Sequence, residues 1–142
     1  MKCISYNGGY KYQLKQPCVV VIEIKPAIPI DLDYIALDST GRLTIKKGYA
    51  WDGPSGPTID IKSFMRGSLV HDALYQLMRE ECLDKSACRA NADKSLRMIC
   101  VEDRMWLPFA WWVYWVVRLL ADPAADPAEK RCVEYAPKNC QP

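Results

Sequence analysis

Histidine is almost absent from this chain of 142 residues, which contains only His71. A zinc site with two or three imidazole ligands therefore cannot form within one chain, and the metalloprotease motif H-E-x-x-H is missing. The sequence also lacks a P-loop and the glycine-rich motif that binds dinucleotides. Gly53-Pro54-Ser55-Gly56 is not a nucleophile elbow, because its second glycine comes one residue too early. These absences exclude several common classes of enzyme.

An excess of charge of one sign is missing as well. The 19 basic and 17 acidic residues leave a net charge of +2. No run of basic residues would create a strong phosphate-binding field, so we expect no nucleic-acid partner. Residues 1–12 contain no apolar stretch of the kind found in signal peptides. We therefore expect synthesis in the cytoplasm and no secretion by a signal peptide.

Cysteine, in contrast, is abundant for this length. The seven cysteines are Cys3, Cys18, Cys82, Cys88, Cys100, Cys132 and Cys140. Because the cytosol is reducing, free or packed thiols are the favoured interpretation. Disulfides are the alternative for a protein that later leaves the cell, and the pairs to test are Cys82–Cys88 and Cys132–Cys140. Metal binding is the weakest interpretation, because the C-x2-C spacing of structural zinc sites is absent.

Length and composition predict one domain over residues 1–142, since half of the residues are hydrophobic and a core can form. The fold class is α+β, with a small N-terminal antiparallel β-hairpin or sheet packed on a three-helix C-terminal bundle. The predicted divisions are a β part at 1–57, a helical part at 58–121 and an irregular, cysteine-containing tail at 122–142.

The individual elements follow from periodicity and turn signals. A β-branched strand is predicted over residues 18–24, and a hairpin over 34–46 with Gly41 in its turn. Helices are predicted over 63–81, 86–103 and 107–121, and Ser63 is the expected N-cap of the first. The expected buried stripes of the first two helices consist of Val70, Ala73, Leu74 and Leu77, and of Ala92, Leu96, Ile99 and Cys100.

The third predicted helix is unusual because residues 105–117 contain no charge and four tryptophans: Trp106, Trp111, Trp112 and Trp115. A helix buried on most sides is the leading interpretation. The alternative is an exposed aromatic patch, within residues 105–120, that docks on a protein or a membrane surface. The apolar run is too short to favour a transmembrane helix.

Polar residues on the first two helices form the only candidate for a chemical site. His71 and Tyr75 lie at the edge of the first buried stripe, whereas Asp72 points away from it. Arg89 and Asp93 are four residues apart on the second helix and are predicted to pair with each other. If the two helices pack side by side, His71, Arg89 and Asp93 converge near the loop that contains Trp51 and Asp52.

Two interpretations of this cluster stay open. The favoured one is a buried hydrogen-bond network that fixes the loop onto the helices, because buried polar groups must be paired. The other is a catalytic or ligand site, since a histidine beside carboxylates is how general bases are oriented. In that case Ser55 serves as a nucleophile only if His71 reaches it.

Four ordered motifs resemble one known family. They are residues 48–55 (G-Y-A-W-D-G-P-S), 66–75 (R-G-S-L-V-H-D-A-L-Y), 89–93 (R-A-N-A-D) and the closing aromatic segment 114–119 (Y-W-V-V-R-L). This set resembles the phage- and prophage-associated family catalogued as domain of unknown function 1353, and the resemblance covers about residues 37–120. It implies a phage or prophage gene and no particular reaction. Pro54 stands where the family usually has alanine, and the cysteine-bearing tail departs from the family pattern.

The leading hypothesis is a non-enzymatic phage protein that binds a phage or host protein, either as a virion component or as a host-directed factor. Association with further copies of the same chain is a second kind of partner considered. The first alternative is a small hydrolase with His71, Asp72, Asp93 and Asp52 as its site. No cofactor is expected except, in that alternative, one divalent ion such as manganese or magnesium. The weakest alternative is a membrane-surface factor in lysis. The candidate binding residues are Trp51, Asp52, Ser55, Arg89, Tyr75, Trp111, Trp112 and Trp115.

Overall fold

A computed structural model describes residues 12–53 and 61–129 of the chain, together with strand segments at 4–6 and 134–136. The strands are β1 (Ile4–Tyr6), β2 (Tyr12–Gln13), β3 (Cys18–Val21), β4 (Ile30–Asp31), β5 (Ile35–Leu37), β6 (Arg42–Ile45), β7 (Ala50–Trp51) and β8 (Glu134–Ala136). The helices are α1 (Lys62–Arg79), α2 (Lys85–Glu102) and α3 (Leu107–Leu120), followed by two short 3-10 turns at Asp122–Ala125 and Pro127–Glu129. The predicted α+β class is confirmed.

The main sheet is antiparallel, with the strand order β3-β6-β5-β4. β2 pairs with β7, and β1 pairs with β8 in two separate two-stranded ribbons. The predicted strand over 18–24 is too long, because β3 ends at Val21 and the chain then leaves the sheet toward Pro26. Residues 122–142, predicted to be irregular, contain the two 3-10 turns and β8.

The predicted hairpin of β5 and β6 is confirmed. The geometry of its turn accounts for the residues found there. Asp38 Oδ1 accepts hydrogen bonds from the backbone N–H groups of Thr40 (2.9 Å) and Arg42 (3.0 Å). Gly41 has a φ of 88°, a conformation that side chains disfavour. A Cβ atom at this position would also overlap the carbonyl oxygen of Ile22. Glycine is therefore required at position 41 for two independent reasons.

All three predicted helices are present, and each boundary lies within two residues of the one expected. The N-cap of α1 is Ile61 and makes no side-chain cap hydrogen bond, so the assignment of Ser63 as N-cap is wrong. Asp84 caps α2 by accepting a hydrogen bond of 2.8 Å from the N–H of Ala87. The predicted buried stripes of α1 and α2 are confirmed, since every residue in them is buried.

The core lies in two connected layers. One face of the sheet packs on α1, where residues such as Leu37, Leu43 and Leu74 are fully buried. A second cluster, which includes Leu96, Cys100 and Val113, joins α1, α2 and α3. Both α1 and α2 contribute to the cluster that contains the sheet, whereas the buried side chains of α3 belong to the second cluster.

The position of α3 overturns the leading interpretation of that helix. Only Ala110 and Val113 of α3 are buried, so it is not a central helix. Its opposite side, which we call the outer face of α3, consists of Trp111, Trp112, Trp115 and Leu119, all of them exposed. Within the described part of the chain, no helix has the length and apolar character to cross a bilayer.

The described cysteines carry thiols. Cys18, Cys82, Cys88 and Cys100 form no disulfide, so the pairing of Cys82 with Cys88 does not occur in this structure. Burial raises the pKa of the Cys100 thiol to about 12, as expected for a thiol packed between helices. Cys132 and Cys140, the second pair considered, lie outside the described residues.

The hairpin turn generates a stability prediction. Gly41→Ala is expected to lower the free energy of unfolding by about 2 kcal/mol or more, since strain at positive φ adds to the overlap with the Ile22 carbonyl. Urea denaturation monitored by circular dichroism measures the change. Gly48→Ala is the matched control, because Gly48 also has a positive φ but its added Cβ would meet only the movable ring of Tyr34. Equal losses for the two variants would contradict the role of the Ile22 contact.

Candidate functional site

A buried carboxylate lies where the three helices meet. The side chain of Asp93, on α2, is completely buried. Its Oδ1 atom is 2.7 Å from His71 Nε2 and accepts a hydrogen bond of 2.6 Å from the Tyr75 hydroxyl. Its Oδ2 atom accepts a hydrogen bond of 2.9 Å from Arg118 Nη1. Each helix therefore contributes at least one member of this group, which we call the Asp93 network.

Helical spacing explains why two members come from α1. His71 and Tyr75 are four residues apart, so they lie one above the other on the same face of the helix. Their ring centroids are 4.0 Å apart, and both rings direct a polar atom at the same carboxylate oxygen. The predicted convergence of His71 with Asp93 is therefore observed in the structure.

The predicted pair of Arg89 with Asp93 is wrong. Arg89 Nε donates a hydrogen bond of 3.1 Å to the Tyr75 hydroxyl, and Nη2 donates to the carbonyl oxygens of Val117 and Arg118, at 2.8 Å each. The last carbonyls of a helix have no partner within it and attract a cation. Arg89 therefore caps the C-terminal end of α3 by binding carbonyl groups of its last turn.

The position beside Asp93 that was expected for Arg89 is taken by Arg118. This contact was not predicted, because in the sequence Arg118 appears only within the closing aromatic motif and no partner is assigned to it. A signal was nevertheless present, since an arginine inside a largely apolar helix needs an acidic partner when that helix packs against others.

The electrostatics of the network favour an ionised Asp93. Burial by itself would raise the pKa of this carboxyl, but hydrogen bonds from His71, Tyr75 and Arg118 outweigh it and leave the pKa below its ordinary value. Burial and the bond to Asp93 also raise the pKa of the Tyr75 hydroxyl. Tyr75 therefore stays protonated and acts as a hydrogen-bond donor.

The residues of the 51–55 loop differ in how they relate to this network. The Trp51 ring is buried, and its Nε1 atom donates a hydrogen bond of 3.3 Å to Ser68 Oγ on α1. Asp52 is half-buried. Ser55, considered as a nucleophile only if His71 reaches it, lies outside the described residues. Trp51 thus fixes the loop onto α1 through Ser68 rather than through the histidine.

A small cavity adjoins the network. It has a volume of about 70 Å³, and its lining includes Gly53, His71, Asp72, Tyr75 and Arg79. A water molecule takes up about 30 Å³ in the liquid, so this space suits about two waters. Sites for small organic ligands are typically about 300–1,000 Å³. The cavity next to His71 is therefore of solvent size.

The same geometry tests whether a divalent metal fits. Both oxygens of Asp93 already accept hydrogen bonds, one of them from the cationic Arg118. A metal would have to displace a guanidinium that neutralises the carboxylate. Within residues 12–53 and 61–129, moreover, no three His, Cys, Asp or Glu side chains are grouped so as to hold an ion. His71 and Asp93 do not fit as ligands of a resident metal.

The tryptophans of the outer face of α3 form a second candidate region. The ring of Trp112 stacks on Phe109 with centroids 5.5 Å apart, and Tyr114 lies edge-on to both Trp111 and Trp115. Arg97, on α2, places its guanidinium 3.8 Å from the centre of the Trp111 ring. The aromatic side chains are therefore held by one another and by a cation while much of their surface stays exposed.

Comparison with known proteins gives no guide to either region. No protein-family model matches the chain, and no curated protein or solved structure is similar to it. Inference about function therefore depends on the chemistry of the Asp93 network, the outer face of α3 and the remaining surface.

The network generates a prediction of stability and its pH dependence. Asp93→Asn is expected to destabilise the protein by about 3 kcal/mol or more at pH 7, because Arg118 loses its buried counter-charge. A carboxylate with a depressed folded-state pKa stabilises fully above its unfolded pKa of about 4, and this contribution is lost as the pH falls through the folded-state value. The variant should therefore lose less stability than the parent between about pH 5 and pH 2.

Urea denaturation at several pH values measures both effects, with Asp33→Asn as the control. Asp33 is exposed on the connection before β5, so its substitution should change the free energy of unfolding by at most about 0.5 kcal/mol. An Asp93→Asn variant as stable as the parent would contradict a structural role. A variant more stable than the parent would indicate a carboxylate kept for chemistry at the expense of stability.

Proposed function

We propose that this protein is a phage- or prophage-encoded binding protein that docks through the outer face of α3 onto a partner protein of the phage or its host. The observation that carries the proposal is the exposure of Trp111, Trp112, Trp115 and Leu119 together on one side of a helix whose other side is in the core. Tryptophan is the residue type most enriched at the energetic centres of protein interfaces.

The size of the exposed surface supports a binding role. A whole tryptophan buries up to about 250 Å², so the partly exposed rings and Leu119 together present on the order of 500 Å² of apolar surface. The largest apolar patch of a typical monomer covers about 300–600 Å² and is often functional. Three neighbouring side chains, Trp106, Leu107 and Leu120, are also exposed and extend the surface further.

The spacing along α3 suits a partner helix. The outer face repeats Trp112, Trp115 and Leu119, with separations of three and four residues. The buried side of the same helix repeats Ala110, Val113 and Val117 with identical separations, and there the pattern packs on other helices. A partner helix laid along the outer face would meet the same arrangement of ridges and grooves.

The assignment to a phage or prophage depends on the motif resemblance alone. The residues of those motifs have structural roles in this fold: His71 and Tyr75 belong to the Asp93 network, and Trp51 fixes its loop to α1. Because the motifs maintain the helical assembly, they are compatible with a scaffold that presents a binding surface. Placement in the virion and action on a host factor are two versions of this proposal.

The hydrolase alternative is weaker on present geometry. His71, Tyr75 and Arg118 each bond to Asp93, and the adjoining cavity is of solvent size. A general base needs a reacting proton within hydrogen-bond reach, in a space that admits the substrate. We therefore favour binding over catalysis.

Site-specific crosslinking tests the proposal. A photoreactive benzophenone amino acid in place of Leu119 should, on irradiation in cells of the native host, form a covalent adduct with one partner protein. Adding Trp112→Glu should reduce the yield of that adduct at least about tenfold, since a charge would be buried at the centre of the interface. Ile28→Glu, an equally non-conservative change of an exposed side chain on the connection between β3 and β4, should leave the yield unchanged.

Two further measurements decide between partners. An adduct with a second copy of the chain, accompanied by dimers in size-exclusion chromatography, would replace the partner protein by self-association. Flotation of the purified chain with anionic liposomes, abolished by Trp112→Glu, would replace it by a membrane surface. Adduct formation that is equally strong in the Trp112→Glu variant would overturn the proposal.

A further inference from the structure

Among the described strands, β3 lies at an edge of the main sheet. In the register of β3 with β6, Cys18 lies opposite Ile45. One residue beyond the end of β3, the backbone N–H of Ile22 donates a hydrogen bond of 2.8 Å to the carbonyl oxygen of Gly41. Hydrogen bonding alternates along an antiparallel pair, so Val19 and Val21 direct their N–H and C=O groups away from β6. No described strand pairs with that side of β3. These backbone groups are therefore available to another extended chain.

Helix α2 runs beside this open edge. Lys94 forms an ion pair of 3.2 Å with Glu23, which lies just beyond the end of β3. Glu102, two turns farther along α2, lines the same groove as Val21. The space between strand and helix is a groove of about 400 Å³. This volume lies within the range of about 300–1,000 Å³ found for ligand sites.

The lining of the groove combines apolar side chains with polar and charged ones, among them Glu23 and Glu102. Val21, Ile22, Met98 and Ile99 form the apolar part. Val21 is 77% exposed and Met98 is 45% exposed, both large fractions for apolar side chains. A flexible methionine at the floor of a groove adapts to side chains of different shapes.

We propose that the groove between β3 and α2 binds an extended segment of a partner protein, which adds to β3 as a fifth strand and places apolar side chains, at alternate positions, against Met98. Backbone hydrogen bonds to Val19 and Val21 supply the affinity, and the groove selects the side chains, as in other cases of strand addition. This site is separate from the outer face of α3.

A second copy of the chain is a poorer occupant than a partner segment. If β3 paired with β3 of another copy, the side chains directed toward the helices would be those of Cys18 and Val20. Both already pack against the core of their own copy, so neither could fill the groove of the other. A segment whose side chains are not committed elsewhere satisfies the edge and the groove together.

Peptide selection on the full chain tests the proposal. A displayed library of random dodecapeptides should yield ligands with apolar residues at positions i and i+2, and synthetic versions should bind with micromolar affinity in fluorescence anisotropy. Met98→Glu should weaken their binding about tenfold or more. Val101→Glu is the matched control, because Val101 is exposed on the same helix without lining the groove, and it should have no effect.

Methylation of individual peptide amides tests the backbone bonds without changing the protein. Methylation at alternate amides should abolish binding, while methylation at the amides between them should leave it intact, since only every second N–H faces β3. Trp112→Glu should not affect these peptides, so failure here and failure of the α3 proposal are distinguishable. No selected peptides, equal sensitivity to Met98→Glu and Val101→Glu, or no alternation among the methylated peptides would each overturn the inference.

Discussion

A buried carboxylate is costly unless its charge is compensated, and this requirement organises the helical half of the molecule. Asp93 is fully buried and ionised, so both of its carboxylate oxygens need hydrogen-bond donors. Those donors come from α1, through His71 and Tyr75, and from α3, through Arg118. Any other rotation of α3 would leave a buried charge without its partner. The position of α3, and therefore the direction in which its tryptophans point, depends on this interaction.

Periodicity and turn signals were sufficient to predict the helices and the buried stripes of α1 and α2. The meeting of His71 with Asp93 followed only on the condition that the first two helices pack side by side. The prediction failed where a side chain had two alternative partners. Arg89 was placed next to Asp93 because helical spacing allowed it, but the free carbonyls at the end of α3 bind it instead. A sequence pattern gives neighbours within one helix, whereas competition between partners on different helices is decided by their packing.

The burial of α3 could not be predicted from composition for a related reason. An all-apolar helix is compatible with a central position and with a peripheral position that leaves one side uncovered. Ala110 and Val113, the small residues that approach the core, are the only direct indication of which side is inward.

The two proposed binding regions both use α2 as support. Arg97 contacts Trp111 on one side of this helix, while Met98 lines the groove beside β3 on the other.

The contact of Gly67 with Cys100 ties two distant positions of the sequence together. A Cβ atom on Gly67 would lie only 2.6 Å from the sulfur of Cys100. This close contact favours glycine at position 67, even though glycine inside a helix costs about 1 kcal/mol relative to alanine. The thiol occupies the volume that an alanine methyl group would need. Homologous chains should therefore vary these two positions in a compensating manner, with a larger residue at 67 accompanied by a smaller one at 100. Such covariation would record how closely α1 and α2 approach in the whole lineage.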